Sequence, residues 1–306
     1  MTDLKIKINS IANEAGFTHF GVAKAAPLDK ELKNLREWLH SGYNGLMGWM
    51  ERDPEMRSDP TKYMPGAKSV ISLGLNYYTS YGYSGDSDKG KISRYAWGDD
   101  YHDIINEKLK VMIDELKNIF PDAKFIGCCD TSPIMEKEWA ERAGIGWIGK
   151  NTNLITKQSG SWLFLAEIIS DLEIEPDDCA LDFCGSCTLC IDTCPTNALE
   201  PYKLDARKCI SYLTIEHRGE FEKSTPSFGG WLYGCDICQD VCPWNSFHDE
   251  TEDNSFQPRD CGTEIELDYA SEITDKEFKK VFEGSPILRT KPEGLRRNAG
   301  FLKSEG

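Results

Sequence analysis

The chain reads as an α+β protein, with an α/β-like N-terminal domain followed by a cysteine-organised, largely helical domain. Two observations carry that reading. Helix-period and strand-period apolar patterns alternate over the first 175 of 306 residues. Beyond them, seven of the twelve cysteines fall into two short runs with metal-type spacing. We therefore expect a first domain over 1–175, a cysteine domain over 176–250, and a segment over 251–306 whose basic tail packs on the body.

The elements follow in order. MTDLKIKINSIANEAGF (1–17) places Leu4, Ile8, Ile11 and Ala15 on one helical face. FTHFGVAKA (17–25) is a strand entering the helix LDKELKNLREWLHSG, which Gly42 stops. KSVISLGLNYY (68–78) is rich in β-branched and aromatic residues, hence strand, and YGYSGDSDKG (81–90) is a loop. YHDIINEKLKVMIDELKNIF (101–120) is an amphipathic helix ended by Pro121, and KFIGCCD is a buried strand that ends at Asp130. SPIMEKEWAERAG is a helix with Pro133 in its first turn and Gly144 at its C-terminal end. NTNLIT is strand-like, and SWLFLAEIIS (161–170) is the last strong strand.

Composition excludes several classes. No run of about 18 apolar residues exists, so no segment reads as a bilayer span. The N-terminal pattern lacks an apolar h-region, so it is not a secretory signal, and a cytoplasmic location is expected. A formal net charge of −16 opposes tight non-specific nucleic-acid binding, because phosphate affinity comes from Lys and Arg. The tail LRTKPEGLRRNAGFLK nevertheless gathers Arg289, Lys291, Arg296, Arg297 and Lys303, enough for a local basic patch or simply a solvated helix end.

Twelve cysteines in a chain expected to be cytoplasmic point to metal or redox chemistry rather than disulfides. CGSCTLCIDTCP (184–195) is C-x2-C-x2-C-x3-C-P, the bacterial ferredoxin run, whose last cysteine ligates the other cluster of a pair. CDICQDVCP (235–243) is a second, shorter run. The ligands can be counted. Cys184, Cys187 and Cys190 take Cys242 as the crossing ligand. Cys235 and Cys238 take Cys194, and Cys209 is the nearest remaining candidate for the last place. Eight cysteines thus close two [4Fe–4S] clusters, and the second domain is expected to be ferredoxin-like. Cys128, Cys129, Cys179 and Cys261 are left as buried small hydrophobes.

GIGWIGKN (144–151) spells G-x-G-x-x-G and nearly a P-loop. A dinucleotide fingerprint must follow a strand and open a helix, and here the order is reversed. A P-loop needs Ser or Thr after its Lys, and this chain has Asn151. Both nucleotide readings fail, which leaves a Gly-rich connection whose backbone can approach a ligand, with Lys150 and Asn151 at its rim.

The chain resembles the epoxyqueuosine reductases. The resemblance covers nearly its whole length and is carried by RSDPTKYMPGAKSVISLGLNYY (57–78), SRYAWGDDYHD (93–103), DTSPIMEKEWAERAGIGWIGKNTNLI (130–155), the first cysteine run, CISYLTIEHRG (209–219) and GCDICQDVCPWN (234–245). It implies an enzyme that removes the epoxide oxygen of epoxyqueuosine at the wobble position of tRNA with a GUN anticodon. It implies cobalamin in the N-terminal domain, base-off and close to one cluster, and an electron donor such as a flavodoxin or ferredoxin system. The D-x-H-x-x-G lower-ligand motif is absent, since Asp100-Tyr101-His102 is followed by Asp103-Ile104-Ile105. By resemblance Asp130 is the proton donor and touches the cofactor, with a partly desolvated carboxyl suited to that task. Without the resemblance, Asp130 would serve as an N-cap. Arg57, Ser93, Asn151, Ser211 and Asp236 match corrinoid-lining positions, and Arg218, Arg296 and Arg297 match candidates for tRNA phosphates. The GIGWIGKN glycines would allow close backbone approach to the macrocycle. Two departures stand out: Lys137 replaces a frequent Arg, and the sequence stops at 306, before the HEAT-like repeats of longer members. The grip on tRNA is then expected to rest on a small basic face of a monomer. A cobalamin iron–sulfur reductase of a small molecule and a plain two-cluster electron carrier are the alternatives.

Overall fold

The structure, a computed structural model, describes residues 2–246 and 249–305. Its centre is a four-stranded sheet in the order His19–Lys24, Ser69–Asn76, Leu163–Ser170, Phe125–Cys128, antiparallel at every pair. The N-terminal half is therefore α+β rather than a parallel α/β sheet. Ser69–Asn76 is buried at all positions because both its faces are covered. Ile71, Leu73 and Leu75 point to one side, where Ile8 and Ile11 of the first helix meet Ile105, Leu109, Met112 and Leu116 of the Tyr101–Ile119 helix. The period-two alternation sends Val70 to the other side, where it packs with Ala23, Ile169 and the fully buried Trp139 of the Glu136–Arg142 helix.

A second sheet joins distant parts of the chain. Lys89–Ile92 is its middle strand, parallel to Trp231–Tyr233 on one side and antiparallel to Glu264–Glu266 on the other. Each strand comes from a different one of the three expected segments, so the segments share one sheet. The expected loop over 81–90 gives way to this strand at Lys89.

Besides its strands, the cysteine region contributes the short helices Leu189–Asp192, Ile210–Ile215 and Ile237–Asp240. The Lys291–Glu305 helix closes the fold, burying Leu295, Ala299 and Leu302. Its Asn298 donates to the carbonyls of Thr214 and Leu232, which ties the tail to the cysteine domain. Among the described residues no helix is long and apolar enough to cross a membrane.

Candidate active site

The strand Phe125–Cys128 delivers its chain end to the Asp130 loop. Asp130 has φ +45°, a left-handed conformation that costs energy in a non-glycine residue and persists only where surrounding contacts hold it. Tight turns follow, with the Thr131 amide on the Cys129 carbonyl at 2.5 Å and the Ile134 amide on the Ser132 carbonyl at 2.8 Å. These turns absorb residues expected to be helical. The helix begins at Glu136, so Pro133 precedes it, and Met135 rather than Asp130 occupies the N-cap.

Asp130 Oδ2 lies 2.9 Å from His102 Nε2, and His102 Nδ1 lies 2.7 Å from Asp100 Oδ1. The Tyr101 ring stacks on His102 at 4.0 Å and on Phe164 at 4.4 Å, which fixes the imidazole. Burial would lower the His102 pKa, but hydrogen bonds and charges from Asp100 and Asp130 outweigh it and push the group up to about 9. The desolvation expected of Asp130 is not found: its side chain is 54% exposed, and the imidazole is its partner. Asp130 is thus one member of a hydrogen-bonded pair, not a lone buried carboxyl.

Behind the loop sit two more carboxyls. Glu136 Oε1 accepts the Asp130 backbone N–H at 2.6 Å. Burial pushes Glu136 up to about 7, the Asp130 N–H pulls it back, and the Asp130 charge raises it again. Glu167 is fully buried mid-strand, accepts from Ser72 Oγ at 3.2 Å, and leaves Oε2 without a hydrogen-bond partner. Burial first, and then the Glu136 charge, raises its pKa well above the carboxylate range.

The cysteines form two quartets. The thiols acting on Cys190 are Cys242, Cys184 and Cys187. Cys209 and Cys238 act on Cys235, and Cys194 acts on both Cys209 and Cys238. Cys190 also acts on Cys238, so the quartets are neighbours. Among the described residues no three His, Cys, Asp or Glu converge tightly enough for a single ion. A four-iron cubane carries its thiolates on separate irons and so holds them farther apart than one tetrahedral ion does. The donor set, all thiol, suits such a cluster.

All four members of the second quartet line one cleft, together with Asp130, Ser93, Asn151 and Ser211. Tyr77, Tyr95, Leu163 and Leu165 supply apolar wall, and no histidine is among the lining residues. Two expected corrinoid positions fall outside this lining. Asp236 is fully buried behind Ser93, whose Oγ donates to it at 2.5 Å. Arg57 donates to the Trp49 carbonyl at 3.0 Å. Lys137 lines the cleft and donates to the Thr152 carbonyl at 2.8 Å.

GIGWIGKN forms one arm of a hairpin, Trp147–Ile148 paired with Leu154–Ile155. Its glycines do not face a ligand. A Cβ at Gly146 would meet the Ile155 carbonyl oxygen at 2.2 Å, and one at Gly149 would meet Ile155 Cδ1 at 2.4 Å. They serve hairpin packing. The polar pair that follows does more. Lys150 Nζ donates to the carbonyls of Gly185 (2.6 Å) and Cys187 (2.9 Å), and the buried Asn151 donates to the Cys238 carbonyl at 3.2 Å.

The three arginines expected at tRNA phosphates are engaged within the protein. Arg218 donates to the carbonyls of Ile215, His217 and Arg289. Arg296 pairs with Asp275 and the Ile273 carbonyl, and Arg297 donates to the carbonyls of His217, Gly219 and Leu213. Arg297 ties the tail helix to the cysteine domain, Arg218 ties that domain to Arg289, and Arg296 holds the tail helix to the 273–275 turn. The spare cysteines also divide: Cys128 and Cys129 are buried as expected, Cys261 is partly buried, and Cys179 is exposed. Sequence reasoning missed Glu136, Glu167 and the His102 pairing. Glu167 alone left a signal, a single carboxylate in the apolar strand SWLFLAEIIS.

A cleft lined by a quartet of thiols and by an aspartate that is paired with a histidine behind it, with a second quartet adjoining, defines the protein as a reductase of the iron–sulfur class. Family models agree: residues 57–131 match epoxyqueuosine reductase QueG, and residues 183–245 match the 4Fe-4S double cluster binding domain. An epoxyqueuosine reductase of Leadbetterella byssophila is 43% identical over 99% of both chains. One of Synechocystis is 46% identical over 89% of this chain and 94% of its own. A crystal structure of epoxyqueuosine reductase with an epoxyqueuosine-modified tRNA-Tyr stem loop superposes with TM-score 0.89 at 34% identity, covering 97% of this chain and 80% of that one. A Bacillus subtilis epoxyqueuosine reductase with its catalytic aspartate loop swung out of the active site gives TM-score 0.89 at 33% identity, with the same coverage. The chain belongs to the epoxyqueuosine reductase family.

Proposed function

We propose that this protein reduces epoxyqueuosine in tRNA to queuosine, with Asp130 and His102 as its proton-transfer pair. The observation that carries this reading is the shared cleft, whose lining includes both Asp130 and the thiols Cys194, Cys209, Cys235 and Cys238. Removing the epoxide oxygen as water, with formation of the alkene, consumes two electrons and two protons. Both needs are met by groups that line one cleft.

Cys184, Cys187, Cys190 and Cys242 would hold one [4Fe–4S] cluster, and Cys194, Cys209, Cys235 and Cys238 the other. Cobalamin, when bound in the cleft, supplies a cobalt centre that takes up electrons singly and reacts at carbon. Ser93, Asn151 and Ser211 would hold it. Asp236 supports that wall from behind through Ser93 and the Arg94 amide.

The proton path is built from this chain's own groups. His102, held between two carboxylates, keeps a proton at neutral pH and donates it to Asp130 Oδ2. Asp130, half exposed at the cleft, passes it to the departing oxygen. The second proton follows by the same carboxylate after exchange with solvent. An electron carrier would have no use for this pair, and the relatives' names favour the tRNA substrate over a small molecule. We place the protein in the cytoplasm as a monomer served by a flavodoxin or ferredoxin system.

The test is turnover of an epoxyqueuosine-containing tRNA stem loop by reconstituted enzyme. Asp130→Ala is expected to lower kcat roughly 10²–10⁴-fold with iron content unchanged. Full activity in that variant would remove Asp130 from the mechanism.

A further inference from the structure

Asp130 has to be held in place by something other than its own side chain. The carboxylate is half exposed, its backbone has φ +45°, and the loop after it is made of consecutive tight turns. Such a loop opens readily unless a contact from a rigid element closes it. One such contact reaches its backbone: Glu136, the first residue of the Glu136–Arg142 helix, accepts the Asp130 N–H at 2.6 Å.

The helix itself is anchored. Trp139, one turn on, is fully buried with Ala23, Val70, Cys128 and Ile169. The helix N-terminus also favours a carboxylate at this position. Glu167 lies on the same sheet face as Ile169, two residues along the strand, and so is directed at the layer that contains this helix. It stands opposite Ser72 and Cys128 in the sheet register, and its Oε2 has no hydrogen-bond partner.

We propose that Glu136 is a positioning residue: its carboxylate latches the Asp130 loop closed by holding the Asp130 amide, with the buried Glu167 carboxyl as its backing. Two carboxylates cannot both stay charged in one apolar layer. Glu136 accepts an N–H and so holds the charge more readily of the two, whereas Glu167 has Ser72 alone and is the more readily protonated. The neutral Glu167 carboxyl then leaves Glu136 free to act on the loop.

The catalytic half of this inference rests on Asp130 as the acid; the latch itself does not. Hydrogen exchange at residues 129–135 in cluster-loaded full-length protein reads the latch directly, whatever Asp130 does. Glu136→Ala is expected to raise exchange there roughly ten- to a hundred-fold, the loss of one hydrogen bond to a charged group. It should lower kcat by a similar factor while KM for the tRNA stem loop holds. Two further variants separate reach from charge. Glu136→Gln keeps the acceptor at full length without charge and should stay within about three-fold of wild type in exchange. Glu136→Asp keeps the charge but shortens the reach and should behave like Glu136→Ala. Wild-type protection in Glu136→Ala overturns the proposal, and so does protection in Glu136→Asp that exceeds that in Glu136→Gln. Loss of loop protection without loss of kcat would keep the latch and remove Asp130 as the acid.

Discussion

The two thiol quartets adjoin, yet one lines the cleft with all four members and the other contributes none. The cleft quartet, Cys194, Cys209, Cys235 and Cys238, shares its lining with Asn151, Ser211 and Asp130. The other, Cys184, Cys187, Cys190 and Cys242, is wrapped in aromatics: Trp147 meets Phe183 at 5.2 Å and Trp244 at 5.0 Å. Exposed Leu181, Phe183 and Leu189 surround it. The interleaved spacing of one ferredoxin motif thus yields an inner site next to the chemistry and an outer site next to solvent. The difference is one of position, with one quartet in the lining of the cleft and the other outside it.

Substituting one cysteine from each quartet is the strongest way to break that division. Cys187→Ser and Cys238→Ser should each lower iron from about eight to about four per chain. Their activities should then diverge. With a strong chemical reductant, Cys187→Ser retains measurable turnover because the inner quartet is intact, whereas Cys238→Ser retains none. Equal loss in both variants, with either a protein or a chemical reductant, would mean that the quartets share one role.

Much of this layout was legible in the sequence for local reasons. The Cys spacings fall within about a dozen residues each, which let the ligands be paired by count down to the lone Cys209. The strand ending at Asp130 and the helix from Tyr101 follow short-range periods that the structure keeps. What escaped was non-local. The Lys89–Ile92 strand forms because residues over a hundred positions away pair with it on both sides. The Arg297 guanidinium is consumed by carbonyls of the 213–219 turn, so a basic stripe in sequence became an internal brace. The start of the Glu136–Arg142 helix was misplaced because its approach is spent on the Asp130 turn, whose geometry depends on a carboxylate six residues away.

A proton-based measurement sharpens the comparison further, because titrating partners for the chemistry stand on the cleft side. His102 has a raised pKa, so its interaction with Asp100 and Asp130 is fully present below its ordinary value of 6.5 and is lost as pH rises through about 9. Turnover should show an alkaline limb near pH 9, while reduction of the outer cluster by a chemical donor shows none. Thermal stability should fall over the same window by roughly 2 kcal/mol, after discounting for partial exposure. His102→Gln should remove the limb. A limb that persists in that variant would assign it to another group.

The smallest expected effects come from neighbouring residues that divide between the quartets. Lys150 donates to Gly185 and Cys187 carbonyls of the outer run, and Asn151 donates to the Cys238 carbonyl of the inner one. A charged donor on two carbonyls stiffens the loop that must wrap three corners of a cluster, so Lys150→Ala should accelerate loss of half the iron to a chelator about ten-fold. The inner cluster should be untouched and turnover on the remaining intact enzyme unchanged. Asn151→Ala removes one neutral hydrogen bond from a buried site and should act on the other side, weakening corrinoid retention a few-fold with the outer cluster unaffected. The hairpin between Trp147 and Ile155 makes this division possible: packing of Gly146 and Gly149 against Ile155 fixes the turn so that successive side chains reach different cysteine runs. If both variants lost iron from the same cluster, the hairpin would be a common support and the separation of inner and outer sites would lie elsewhere in the fold.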